Sequence, residues 1–112
     1  MTLISSENVK AIAKAVAESL AQSGYENAQV AAIESKRIAH GIELIHEARV
    51  ANLISEEGAK AQLRFLESTE ASYLAAQKVI DRIDQLLAIR AGFAVVGNLI
   101  NAAIGFKLLP EG

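Results

Sequence analysis

The segment Leu53-Ile54-Ser55-Glu56-Glu57-Gly58, near the middle of the chain, separates two long stretches in which apolar residues recur at helical spacing. Ser55 can accept a hydrogen bond from a free amide at the start of the next helix. Glu56 and Glu57 would then lie in the first helical turn, where the helix dipole favours carboxylates. We therefore expect a turn here, at the tip of a long antiparallel helical hairpin. A continuous kinked helix is the alternative, because no Pro or Gly marks the end of the preceding helix.

The composition is typical of an all-α protein. Hydrophobic types make up 52% of the 112 residues, and 21 of these hydrophobic residues are Ala, the strongest helix former. This length suffices for one domain with one core. We predict a single helical domain over residues 1–112, built as a long antiparallel hairpin with a shorter helix at each end. The apolar periodicity places the helices over roughly residues 6–23, 26–53, 56–90 and 91–107.

Charge and cysteine content exclude several classes of function. The net charge is −2 and the Lys and Arg residues form no run, so the sequence lacks a basic footprint for nucleic acid. The absence of Cys excludes disulfides, thiolate nucleophiles and Cys-ligated metals, and it fits a cytoplasmic protein. The N-terminus lacks the basic start and apolar run of a signal peptide. Without a Gly-rich phosphate loop or a nucleophile elbow, we predict no catalytic activity and no cofactor.

Two apolar faces on the second predicted helix indicate self-association. Ile38, Ile45 and Leu53 lie on one face, while Ile33 and Leu44 lie nearly opposite. A helix with a single neighbour needs only one such face. A two-helix arm projecting from a four-helix base would leave these residues poorly buried, and a second copy packed as a symmetric bundle would cover them. We therefore predict a homodimer or higher oligomer, with an interface that includes Ile38, Ile45, Leu53 and Leu66.

The third predicted helix carries a coiled-coil-like repeat. Leu66, Tyr73, Ile80 and Leu87 recur every seven residues. We extend this helix to residue 90 and expect a break near Gly92; a continuation of the helix through Gly92 is the alternative.

Glycines inside the predicted helices indicate close helix contacts. Gly41 costs roughly 1 kcal/mol relative to Ala in a helix interior, so we expect a close contact or a bend there; a Gly without a role is the alternative. In the last helix Gly97, Asn101 and Gly105 recur every four residues and present a face suited to close packing. We include Gly97 and Gly105 in the predicted interface.

The last segment has no charged residue between Arg90 and Lys107. This run is shorter than the ~20 residues of a membrane-spanning helix. Counting from residue 86 to residue 109 restores the length but includes Arg90. We predict a buried core or interface helix. The alternative function is that of a membrane-associated or membrane-inserting protein acting through residues 86–109.

A third hypothesis is a metal site at Glu43 and His46. Glu43-x-x-His46 matches the Glu-x-x-His element that di-iron carboxylate bundles carry on a helix. Such a bundle needs two of these elements, so a dimer would have to supply the second, with Glu67 or Glu70 opposite. His40 and Glu43 project away from the main apolar stripe, and we therefore predict a solvated helix face instead.

The sequence thus predicts a non-catalytic, self-associating helical protein with an interaction or structural role. The expected partner is a second copy of the chain, and another helical protein is the alternative partner. A membrane surface and a bound metal belong to the two competing hypotheses.

Overall fold

A computed structural model describes residues 4–25, 27–77 and 81–110. Within these ranges the chain forms four α-helices and no strand: α1 (Ser6–Gln22), α2 (Ala28–Val50), α3 (Glu56–Gln77) and α4 (Arg82–Ile104). The predicted all-α class is confirmed. The bounds of α1 and α2 lie close to those predicted, whereas those of α3 and α4 differ.

Polar side chains begin the helices. Ser55 Oγ accepts a hydrogen bond from the Gly58 amide at 3.0 Å, and α3 begins directly after it. Ser5 caps α1 and Asn27 caps α2 in the same way, each accepting from the amide three residues later at 3.1 Å. Each cap satisfies a backbone donor that the helix leaves unpaired. The predicted turn at Ser55 is therefore confirmed.

The end of α2 is built without glycine. Asn52 adopts a left-handed backbone conformation with φ 62°. The Leu53 amide donates to the Ala48 carbonyl at 2.9 Å, and the Asn52 amide donates to the Arg49 carbonyl at 3.1 Å. These are the two bonds of a Schellman motif. Because Asn tolerates the left-handed conformation better than most residues, α2 ends at Val50, earlier than predicted.

The predicted uninterrupted third helix over residues 56–90 is wrong. A separate helix begins at Arg82, where the Asp81 carboxylate accepts a hydrogen bond from the Ile83 amide at 2.8 Å. Ile80, a member of the predicted seven-residue repeat, lies outside the described residues. The Asp81 cap starts a new helix inside that repeat, and the helix then runs unbroken through Gly92, where the break was expected.

The four helices pack around one core. Each helix contacts its neighbours in sequence, and α4 also packs along α1, which closes a bundle of 40 × 23 × 22 Å. The predicted two-helix arm beyond a four-helix base is not seen, because α4 begins at Arg82 and lies beside both α3 and α1. The buried apolar side chains form one continuous cluster. Its largest fully buried members include Ile12, Leu20, Ile38, Ile42, Leu74, Ile89, Phe93, Ile100 and Ile104.

At Gly92, helices α1 and α4 approach each other backbone to backbone. A Cβ atom on Gly92 would lie 2.7 Å from Val16 Cα and 3.0 Å from the Ala15 carbonyl oxygen. In the same contact between helices, the Ser19 hydroxyl donates to the Ala88 carbonyl at 2.6 Å. Only a residue without a side chain permits this packing. Gly92 therefore joins two helices rather than separating them.

The C-terminal end of α4 gives each of its small or polar residues a different role. Gly97 is buried within the helix. Gly105 ends the helix in the left-handed conformation with φ 88°, and a Cβ atom there would meet nothing within 4 Å. Within its own chain, backbone conformation rather than contact favours glycine at this position, and its place in an interface between copies stays a prediction. Asn101 accepts from the Leu108 and Leu109 amides and donates to the Leu109 carbonyl, at 2.8–3.0 Å.

Candidate functional site

An open groove between α2 and α3, here called the Phe65 groove, is the first candidate site. It has a volume of about 330 Å³. The Phe65 ring is 75% exposed and Leu44 is 49% exposed, although both are large apolar side chains. None of the described residues lining the groove is charged: they are Gly41, Leu44, Ile45, Gln62, Phe65, Leu66 and Thr69.

Gly41 brings α2 and α3 together at this groove. A Cβ atom on Gly41 would lie 2.7 Å from Leu66 Cδ2. The predicted close contact at Gly41 is therefore present, and its partner is the end of a flexible side chain. Phe65 and Leu66 are consecutive residues of α3. The Leu66 side chain packs toward α2, whereas the Phe65 side chain remains at the surface.

The structure separates the apolar residues predicted for the interface. Leu66 and Ile45 line the Phe65 groove. Ile38 is fully buried in the core of its own chain and does not line the groove, so its place in an intermolecular contact stays a prediction. Leu53 is 76% exposed in the loop after α2 and does not line the groove. Phe65 is outside the predicted interface, because the seven-residue repeat selects its neighbour Leu66, and the structure places it in the groove lining.

Glu43 and His46, the two residues of the hypothetical metal site, lie in different surroundings. Glu43 Oε1 lies 2.9 Å from Nδ1 of His40, which is exposed. His46 is 1% exposed and faces the interior, so the prediction that it lies on a solvated face is wrong. In the part of the chain that the structure describes, no group of three or more His, Cys, Asp or Glu side chains is arranged to hold a metal ion.

Two buried carboxyl groups meet where α2 packs on α3. Glu34 and Glu70 are 3% and 6% exposed, and the Glu34 side chain acts on the pKa of Glu70. Burial raises the pKa of Glu70 to about 7, and the hydrogen bond and negative charge of Glu34 act in the same direction. Arg37, whose guanidinium lies 3.6 Å from Glu34, lowers the pKa of Glu70 and so opposes part of the shift. Glu70 therefore titrates near neutral pH.

Other polar groups are also enclosed in the bundle. Glu67 of α3 is 4% exposed and pairs with Arg90 of α4 at 3.1 Å. Gln85 of α4 is fully buried, and its side-chain amide has no hydrogen-bond partner among the described residues. Charged side chains are rarely buried unless paired, and Arg90 supplies the partner that Glu67 needs. The Glu67–Arg90 pair links α3 to α4 and supplies no nucleophile.

A second groove lies between α1 and α2 and is called the lysine groove here. Its volume is about 470 Å³. Three lysines lie along it, Lys10 and Lys14 from α1 and Lys36 from α2. The remaining lining residues are small and apolar: Val9, Ala13, Ala17 and Ala32. This groove therefore differs from the Phe65 groove in carrying positive charge on both walls.

Helix α4 has an apolar exposed side. Among the described helices it is the one long and apolar enough to cross a membrane, with a mean hydropathy of 1.6 over its most apolar window, and half of that window is buried in the bundle. Its exposed large apolar side chains are Ile83, Leu87, Val95 and Leu99.

Comparison of the chain with protein-family models, with curated proteins and with solved structures finds no match.

Proposed function

We propose that the protein is a non-catalytic, self-associating helical module that dimerises through the Phe65 groove. The observation that carries this proposal is the exposed Phe65 ring at the edge of an uncharged apolar groove. An aromatic side chain that fills a pocket on a partner is the usual energetic centre of a protein interface. The protein would then have a structural or interaction role, with its own copy as the first partner.

A second copy fits this groove because one surface carries both complementary parts. In a two-fold dimer, each Phe65 ring would enter the groove of the other copy, as an isologous interface requires. Because the lining residues are uncharged, the symmetric arrangement brings together no like charges from the groove lining itself. Burying each ring stabilises the dimer by roughly 1.5–3 kcal/mol, and Leu44 adds apolar area at the same edge.

Sedimentation velocity at micromolar concentration tests the proposal. We expect the wild type to sediment as a dimer and Phe65→Glu to sediment as a monomer with an unchanged helical circular dichroism spectrum. Val95→Glu is the matched control, because Val95 is 76% exposed on α4 and receives the same charge. The control should remain a dimer. A monomeric wild type, or equal association of all three proteins, contradicts the proposal.

Membrane association through residues 86–109 is the second candidate function. The length and apolar composition of α4, together with its exposed Val95 and Leu99, favour it. Flotation with lipid vesicles tests membrane association with the same two variants, and here Phe65→Glu is the control. A membrane-bound protein should lose flotation with Val95→Glu and keep it with Phe65→Glu. Absence of the wild-type protein from the vesicle fraction contradicts this function and leaves the dimer proposal intact.

A further inference from the structure

The lysine groove has a chemistry that the Phe65 groove lacks. Lys10 and Lys14 are one helical turn apart and so lie on the same side of α1. Lys36 lies across the groove on α2. Between these walls, alanines form most of the floor, and small side chains allow another backbone to approach closely. Exposed Ile33, one turn before Lys36 on α2, extends the apolar area next to the groove.

The charges in the lysine groove argue against a second copy as its occupant. A two-fold contact through this groove would place the lysines of one copy against those of the other, and like charges brought together weaken an interface. Glu18 lies 4.0 Å from Lys14, but both side chains are mostly exposed. Such a surface pair is weak, so an incoming carboxylate can replace it.

We propose that the lysine groove binds an acidic amphipathic helix of a partner protein. A helix laid in a groove presents an apolar stripe to the floor, and lysines on both walls then select carboxylates on both sides of that stripe. A helix suits the site better than a flat membrane surface, because the alanines lie between two helices that each carry lysines, α1 and α2. This inference goes beyond dimerisation, since the two grooves use different surfaces of α2.

Fluorescence anisotropy with a designed peptide tests this proposal. The probe is a labelled helical peptide of about 18 residues, or five turns, with a leucine stripe flanked by glutamates. A second peptide has lysines in place of the glutamates. We expect the acidic peptide to bind and the basic peptide not to bind. Binding should weaken as salt is added, because exposed charges are screened.

Three variants of the full chain identify the site. Lys10→Glu/Lys14→Glu should weaken binding of the acidic peptide by about tenfold or more. Arg64→Glu/Lys107→Glu makes the same change in net charge at exposed positions outside the groove and should bind within about twofold of wild type. Ala13→Leu keeps every charge but fills the floor, so it should also weaken binding about tenfold. Circular dichroism confirms that each variant remains helical.

Each remaining outcome overturns the proposal. If both charge-reversal variants lost binding of the acidic peptide equally, the peptide would be attracted only by the net charge of the protein. Full binding by Ala13→Leu would mean that the floor is not used. Vesicles containing phosphatidylserine serve as the competing class of ligand: if they bind the wild type but not Lys10→Glu/Lys14→Glu, and the acidic peptide does not bind, the groove recognises an anionic lipid surface instead. Sedimentation of the same variants keeps this result separate from dimerisation.

Discussion

Two contacts between helices, each with a glycine inside a helix, differ in what that glycine meets. Gly92 of α4 faces the backbone of α1 at Val16, whereas Gly41 of α2 faces the end of the Leu66 side chain. The α1–α4 contact is therefore fixed by main-chain atoms that have no alternative position. The α2–α3 contact is set by a side chain that can change rotamer. A glycine in a helix thus indicates closeness, but only the neighbouring atom shows how much a larger residue would cost.

The largest expected effect is that of Gly92→Ala. Its Cβ atom would lie 2.7 Å from Val16 Cα, so the two helices must separate. Overpacking of this kind costs roughly 1–3 kcal/mol, and the backbone contact places Gly92→Ala at the upper end, reduced by the better helix propensity of Ala. We expect a net loss of about 2 kcal/mol in the free energy of unfolding, measured in urea. Stability equal to that of wild type would remove the distinction between the two contacts.

The next effect is a pH dependence confined to the α2–α3 contact. The pKa of Glu70 is raised from 4.5 to about 7 in the folded protein, chiefly by burial and also by Glu34. As pH rises from 4.5 to 7, the unfolded chain loses this proton before the folded chain does, so the folded state loses stability. We expect a decrease of roughly 1–2 kcal/mol across this interval.

Glu70→Gln is the control for this pH dependence. Its side chain keeps a hydrogen-bonding group toward Glu34 but does not titrate, so the decrease should largely disappear. The measurement compares urea unfolding of both proteins at pH 5 and pH 7.5. If wild type and Glu70→Gln lose stability equally between these values, the buried carboxyl pair is not its source.

The smallest effect is expected for Gly41→Ala. Its Cβ atom would lie 2.7 Å from Leu66 Cδ2, but rotation of Leu66 can relieve this contact. The helix propensity gained with Ala, roughly 1 kcal/mol, offsets the remaining strain. We expect unfolding free energy within about 1 kcal/mol of wild type. A loss as large as that of Gly92→Ala would show that the α2–α3 contact is as rigid as the α1–α4 contact.

Local signals in the sequence predicted local structure well. Ser55 with Glu56 and Glu57 identified the start of α3, because an N-cap involves only residues within one turn. Asp81 carries the same signal, but the seven-residue repeat continues in register from Tyr73 to Leu87 and concealed it. The apolar periodicity shows which face of a helix is apolar. It does not reveal a helix break after which the apolar residues continue at the same seven-residue spacing.

The roles of glycines and of buried acids depend on the tertiary structure, so the sequence pattern could not assign them. Gly92 contacts another helix where a break was predicted, and Gly105 ends α4 with a positive φ. Glu34 and Glu70 were unexpected in the interior, because burial of a carboxyl group becomes acceptable only when a partner on another helix is present. Phe65 was outside the predicted interface for the same reason, because its exposure depends on where α2 lies.

The Glu34–Glu70 pair also makes folding a proton-uptake reaction. Between pH 4.5 and 7 the unfolded chain has released the Glu70 proton that the folded chain retains, so each molecule that folds removes a hydrogen ion from solution. The buffer must supply that ion, and its heat of ionisation then becomes part of the heat that a calorimeter records. Near pH 6 the apparent enthalpy of unfolding should therefore differ between phosphate and imidazole buffers, although the molecule and its free energy of unfolding remain the same.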